Sequence, residues 1–317
     1  MTRIAAAAAL FLAAAGLSVP APLQAQSLHG ALEWLPPGSL SAASLTTRPV
    51  EILDGGEAQN FYTELGRLAF RSPDILGGTA RKAGLSCQAC HSNGHVNAAF
   101  FIPGLSDRPG RVDVTHAFWN LRGEDDRDNP LPIPSLRGVA AKDRLGQDRQ
   151  AIPLRDFTRR VIVVEFAGDE PSPLLLDALS AYLEKLRPSG EPDRLVTLSD
   201  DLADIRRHLK TLSVPLAEED GAVTSDVVQM IRGQLGFIHE RFTDARLGSS
   251  RAMLEDWSRQ LAQIGRLAEA GEWPAAREAL DRLRRAVENP PAALLADAPF
   301  SLYDPERLQA WLSKPVR

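Results

Sequence analysis

The sequence predicts a mainly α-helical protein: a small helix-bracketed domain with long irregular loops, followed by an α-helical bundle module. Two patterns and one bulk property lead there. Apolar side chains recur at three- and four-residue spacing in a series of segments on both sides of residue 190, as amphipathic helices require. Glycine and proline gather between the first two of these segments, where they read as turns and extended loops. The chain has 317 residues, 44% hydrophobic and 24% charged, enough for one large packed domain or two ordinary ones. A net charge of −5 and a pI near 5.8 leave no overall basic footprint, which argues against nucleic acid as a partner.

Residues 1–25 read as an export signal peptide. Arg3 supplies a short positive start, Ile4 to Leu17 is an uncharged Ala/Leu run, and Pro20 to Ala25 offers small residues for cleavage. The run is about 14 residues, short of the ~20 that a helix needs to span a bilayer. No later segment is long and apolar enough either, so the mature chain is expected to be periplasmic and without a membrane span. Residues 26–56, with Pro36-Pro37, Pro49 and Gly55-Gly56, read as a lead-in loop.

Residues 57–190 are expected to form the first domain. From about Glu57 to Ser72, the side chains of Phe61, Leu65, Leu68 and Ala69 share one helical face, and Pro73 stops the helix. Ser172-Pro173 caps a second helix, Leu174 to Leu186, which ends before Pro188-Ser189-Gly190. Gly66 on the first helix and Tyr182 on the second suit a close crossing. The long stretch between them holds Pro103-Gly104, Arg108-Pro109-Gly110 and Asn129-Pro130-Leu131-Pro132-Ile133-Pro134, and reads as extended, functional loop.

Residues 195–317 are expected to form the helical module. Asp201–Leu212, Thr224–Phe242, Arg251–Ala270 and Trp273–Val287 read as amphipathic helices, with a shorter one at Asp304–Leu312. Gly271-Glu272-Trp273 joins two of them tightly, as in an αα-hairpin.

The chemistry concentrates at Cys87-Gln88-Ala89-Cys90-His91, which contains the only two cysteines. A lone pair in an oxidising compartment can be a disulfide, and redox enzymes also place Cys-x-x-Cys at a helix start. A structural zinc site would need ligands that no second Cys pair or finger-spaced His pair supplies. His91 directly after the pair points to haem c. Two thiols three positions apart add across the vinyl groups of one porphyrin, and the histidine offers its imidazole to the iron. One motif allows one covalent haem. Phe100, Phe101, Phe118 and Trp119 are candidates for a dry wall around it, and Arg111, Arg122 and Arg137 for pairing with its propionates.

Beyond the motif, an ordered series of segments carries a wider resemblance. Gly66-Arg67-Leu68-Ala69-Phe70 precedes Leu85-Ser86-Cys87 through His91-Ser92-Asn93-Gly94. Then come Ile133-Pro134-Ser135-Leu136-Arg137-Gly138-Val139, Leu154-Arg155-Asp156-Phe157, and Leu176-Asp177-Ala178-Leu179-Ser180-Ala181-Tyr182-Leu183. Over residues 57–187 the chain resembles haem domains of the bacterial dihaem cytochrome c peroxidase superfamily, particularly the electron-transferring C-terminal half. The resemblance implies a cytochrome c fold, a periplasmic setting, and peroxide or electron-transfer chemistry. The chain departs from that family in two ways. It has one attachment motif instead of two, and Ala140-Ala141-Lys142-Asp143-Arg144-Leu145-Gly146-Gln147-Asp148-Arg149 lacks the Met or His expected after the Pro-Ser-Leu-Arg-Gly segment.

The ligand opposite His91 is therefore open. His116, on a loop with slack to cross over, is the leading metal-ligand candidate beside His91, and an open or water-bound iron stands next to it. His95 is too near His91 in sequence to reach the far face easily. Met230 and Met253 read as core residues of the helical module, and His29, His208 and His239 as surface or helix residues. A filled iron suits electron transfer to a redox partner protein or a sister haem subunit. An open one suits peroxidase-like reduction of peroxide, with His116, His95 or Glu124 as acid–base groups. A haem-based sensor or scaffold is a third reading. The acidic runs Glu124-Asp125-Asp126 and Glu218-Glu219-Asp220 read as solvated surface or as a docking site for a basic partner.

Overall fold

The computed structural model describes residues 45–56, 59–146, 149, 151–188 and 190–313, so the expected export signal, His29 and most of the lead-in lie outside it. The protein is mainly helical. Among the described residues no helix is long and apolar enough to cross a membrane.

Local chemistry explains the helix limits. Helix α1 (Phe61–Phe70) starts where the Asn60 side chain accepts the amide of Thr63, later than the apolar spacing alone implies. Short helices α2 (Gly78–Lys82) and α3 (Cys87–Cys90) follow. In the stretch expected to be loop, Pro153 opens α4 (Leu154–Arg160), which widens into a π-helical turn at Val161–Glu165. Its side chains Leu154, Phe157 and Val163 pack onto the core. Helix α5 (Pro173–Lys185) starts as expected, with the Ser172 hydroxyl accepting the amide of Leu175 and proline at its first position.

The module follows as α6 (Leu198–Ala217), α7 (Gly221–Glu240), α8 (Gly248–Glu269) and α9 (Trp273–Glu288), then α10 (Ala292–Asp297) and α11 (Pro305–Leu312). A capping box between Thr197 and Asp200 opens α6. Gly271, at φ +73°, closes the hairpin between α8 and α9. Helix α7 packs on α6 and α8, and α9 on α6 and α8, giving a four-helix arrangement. The acidic run 218–220 is the turn between α6 and α7, with Asp220 capping the amide of Val223.

The two parts are joined by more than the chain. Strand β1 (Thr47–Arg48) belongs to the lead-in and pairs antiparallel with β4 (Arg194–Leu195); a second ribbon joins β2 (Arg111–Val112) to β3 (Leu131–Pro132). Leu53 bridges to Leu186, and α1 packs on α5, α6 and α7. One hydrophobic core runs from Leu65 through Leu179 and Leu209 to Tyr303. The change of sequence character near residue 190 therefore does not interrupt the packing.

Candidate functional site

Helix α3 is a single turn, closed by the amide of His91 donating to the carbonyl of Cys87 at 2.9 Å. Cys87 and Cys90 are therefore neighbours on one side of that turn. Both are free thiols, partly accessible yet closely surrounded, and that burial pushes each up to about 12. They are thiols at neutral pH. A dithiol redox pair carries a thiol depressed toward neutrality, so the environment does not resemble one. Among the described residues no group of three or more His, Cys, Asp or Glu side chains could hold a metal ion.

His91 is oriented from a distance. Its Nδ1 lies 2.9 Å from the carbonyl oxygen of Pro134. A carbonyl only accepts, so Nδ1 carries the proton and Nε2 keeps a free lone pair. Burial lowers the imidazole pKa to about 4, with the Pro134 bond opposing and Lys142 assisting. A neutral imidazole whose far nitrogen is anchored to a backbone carbonyl is the form in which histidine binds a metal. Two thiols on one turn beside such a ligand can hold a haem covalently.

The segment Ile133–Gly138 delivers the Pro134 carbonyl by running beside the loop that follows His91, the attachment loop of the haem c expectation. The Leu136 amide donates to the Gly94 carbonyl at 2.9 Å, and the Gly138 amide to that of Leu186 at 2.9 Å. Gly94 is at φ +75° with the Leu186 side chain against it, so no side chain fits there. Asn93, also left-handed at φ +49°, organises the other flank. Its amide donates to Gln88 Oε1 at 2.9 Å, its Oδ1 accepts from Gln88 Nε2 at 3.0 Å, and its Nδ2 donates to the Pro49 carbonyl at 2.8 Å. Asn93 does not stand out in the sequence as a functional residue. Its one local signal is asparagine's tolerance of positive φ just after the motif.

The other candidates take different places. Phe100 and Trp119 are buried, the latter donating from Nε1 to the Asp113 carbonyl at 2.7 Å, while Phe101 is half-buried and Phe118 exposed. Arg137 is buried, and its guanidinium donates to the Val50 carbonyl of the lead-in. Arg111 braces its own loop, bonding Asp107 at 2.9 Å and the Pro130 carbonyl. Arg122 is exposed. Buried Asp113 organises this region by accepting from the amides of Thr115 and Asn129.

His116 accepts the Phe118 amide on Nδ1 at 3.0 Å, so its single lone pair is used and Nε2 bears the proton. His95 accepts the Val96 amide on Nδ1 in the same way. Glu124 accepts from the amides of Ala117 and Asp126, which makes it a turn brace. Met230 is buried in the α7 core and Met253 packs against it. His239 pairs with Glu255 at 3.0 Å. His208, expected as a surface or helix residue, lies on α6 and is fully buried, with no hydrogen-bond partner on either nitrogen among the described residues. Its position one turn from Asp204, on the face that meets α1, puts it inside the module's contact with the first part.

No family model, no curated protein and no solved structure matches the chain.

Proposed function

We propose that the chain is a monohaem c-type cytochrome, exported to the periplasm, that passes electrons through one haem held by Cys87, Cys90 and His91. The observation that carries this is the His91 Nδ1 contact with the Pro134 carbonyl at 2.9 Å, beside two free thiols on one helical turn. The resemblance of residues 57–187 to haem domains of the dihaem peroxidase superfamily, which the Cys87–His91 motif helps to carry, points the same way. Haem, when bound there, supplies a one-electron iron couple. The chain's own residues fix the imidazole's tautomer, keep the two thiols on one helical turn and bury the surroundings. A redox partner protein or a sister haem subunit would exchange the electron.

The test is direct. Chain expressed with haem-attachment machinery should keep its haem through denaturing electrophoresis and give the pyridine spectrum of two thioether links. Replacing both cysteines with serine should abolish that signal. Haem-free wild-type chain, under conditions that load a control cytochrome, sinks the proposal.

The bond from Phe118 to His116 favours a second reading, in which no histidine fills the sixth position and peroxide is reduced there. Rapid CO binding by the reduced protein together with peroxide turnover would select it. A six-coordinate iron inert to both selects electron transfer.

A further inference from the structure

Arg71 follows the last residue of α1, and it is only 6% exposed. Its contacts reach three other parts of the chain. Nη2 donates to Asn93 Oδ1 and to Glu51 Oε1, each at 3.0 Å. Nη1 lies 3.6 Å from Asp204 Oδ2 on α6, and the Arg71 carbonyl accepts from Gln234 Nε2 on α7 at 3.0 Å. Asn93 is two residues past His91, and its Oδ1 also accepts from Gln88, which stands between the two cysteines. The guanidinium is thus one hydrogen bond from the attachment loop and one ion pair from the helical module.

Both members of that ion pair are permanently charged. Burial by itself would lower the Arg71 pKa, but Glu51 and Asp204 outweigh it and hold the group above its ordinary value. Burial would likewise raise Asp204, but Arg71 foremost holds it well below the ordinary carboxylate range. Glu51 is shared further, with Arg67 and with the Tyr182 hydroxyl, so it is anchored from several sides. Charges fixed in a poorly solvated interior act over longer distances than charges in water.

We propose that Arg71 is a positioning residue that seats the attachment loop against α6 and α7, and that its pair with Asp204 lets the helical module set the haem's reduction potential. This rests on the haem attachment proposed above. A cation near the iron favours the reduced state, and an anion favours the oxidised state, because oxidation adds a positive charge.

The experiment is a spectroelectrochemical titration of the full, haem-loaded chain and three variants. Arg71→Gln should lower the midpoint potential and Asp204→Asn should raise it. Arg71→Gln with Asp204→Asn should return toward wild type, and the reduced spectrum should be unchanged throughout. Mere loosening of the loop would move both single variants the same way. Shifts of equal sign, or none, overturn the proposal. Should Arg71→Gln fail to fold, Asp204→Asn decides alone, since it is isosteric at a side chain 20% exposed: an unmoved or lowered potential overturns it. Wild-type chain without covalent haem removes the functional reading and this inference together, whereas loaded chain with unmoved potentials removes only the inference.

Discussion

Gly66 lies against Ala178 so closely that a methyl group on the glycine would come 1.9 Å from the Ala178 carbonyl oxygen and 2.9 Å from Tyr182 Cβ. The obstacle is the backbone of α5, which cannot swing aside as a long side chain would. The crossing of α1 over α5 therefore depends on a residue without Cβ. It also places Arg71, at the end of α1, over the attachment loop. Gly66→Ala must separate the helices, and overpacking of this kind costs about 1–3 kcal/mol or more. Urea unfolding should show that loss together with reduced haem incorporation. A variant as stable as wild type would show that the helices can part freely.

Tyr182→Phe removes a buried hydroxyl that donates to Glu51 Oε1 at 2.6 Å. Glu51 keeps Arg67 and Arg71, so its charge stays compensated. The expected loss is about 1.5–3 kcal/mol, the usual size for a hydrogen bond to a charged acceptor. Thermal or urea unfolding measures it, and a neutral result would mean that the bond is not made in solution.

His208 should make the protein acid-sensitive. Burial holds its pKa at about 3 in the fold, with Asp204 opposing and Arg71, Arg67 and Arg207 assisting, against 6.5 for an ordinary histidine. Between pH 6.5 and about 3 the unfolded chain takes up a proton that the folded chain refuses. Stability therefore falls as pH falls through that window, by up to about 1.4 kcal/mol per pH unit from this residue. His208→Leu should flatten this slope. At neutral pH it should match or exceed wild type, since it removes a buried polar ring without hydrogen-bond partners among the described residues. Urea midpoints at neutral and mildly acidic pH test both points, and equal slopes for the two proteins would refute the first.

His116→Ala should leave the spectrum and spin state of the haem-loaded chain unchanged, because Nδ1 is already committed to the Phe118 amide. The stability cost should be small, about 1 kcal/mol or less, as expected for a lost local bond on a half-buried loop. A high-spin shift or new CO binding in the variant would show that His116 is the sixth ligand after all.

Much of the fold is legible in the sequence because helices announce themselves locally. Ser172-Pro173 spells the start of α5, and Gly271 spells the hairpin between α8 and α9. Periodicity also places Met230 in the core. Where the signal is a few residues long, it is lost. The helix at Leu154–Arg160 is hidden in a Gly- and Pro-rich stretch, and β1 is a two-residue strand whose partner is Arg194–Leu195. His208 reads as an ordinary helix residue because its burial depends on α1 packing across α6, which no local pattern records.

The sequence by itself determined which atoms are available at the candidate site: two thiols at helical spacing, an adjacent imidazole, and a chain rich enough in amphipathic segments to bury them. Only the tertiary structure decided the state of those atoms. The Pro134 carbonyl, forty-three residues further along the chain, selects the lone pair that His91 presents. The Phe118 amide engages Nδ1 of His116, and Arg71 ties Asn93 to Glu51 and Asp204. The physical reason is range: helical periodicity is written into neighbouring residues, whereas protonation, tautomer and charge are set by whatever the fold brings within about 3 Å.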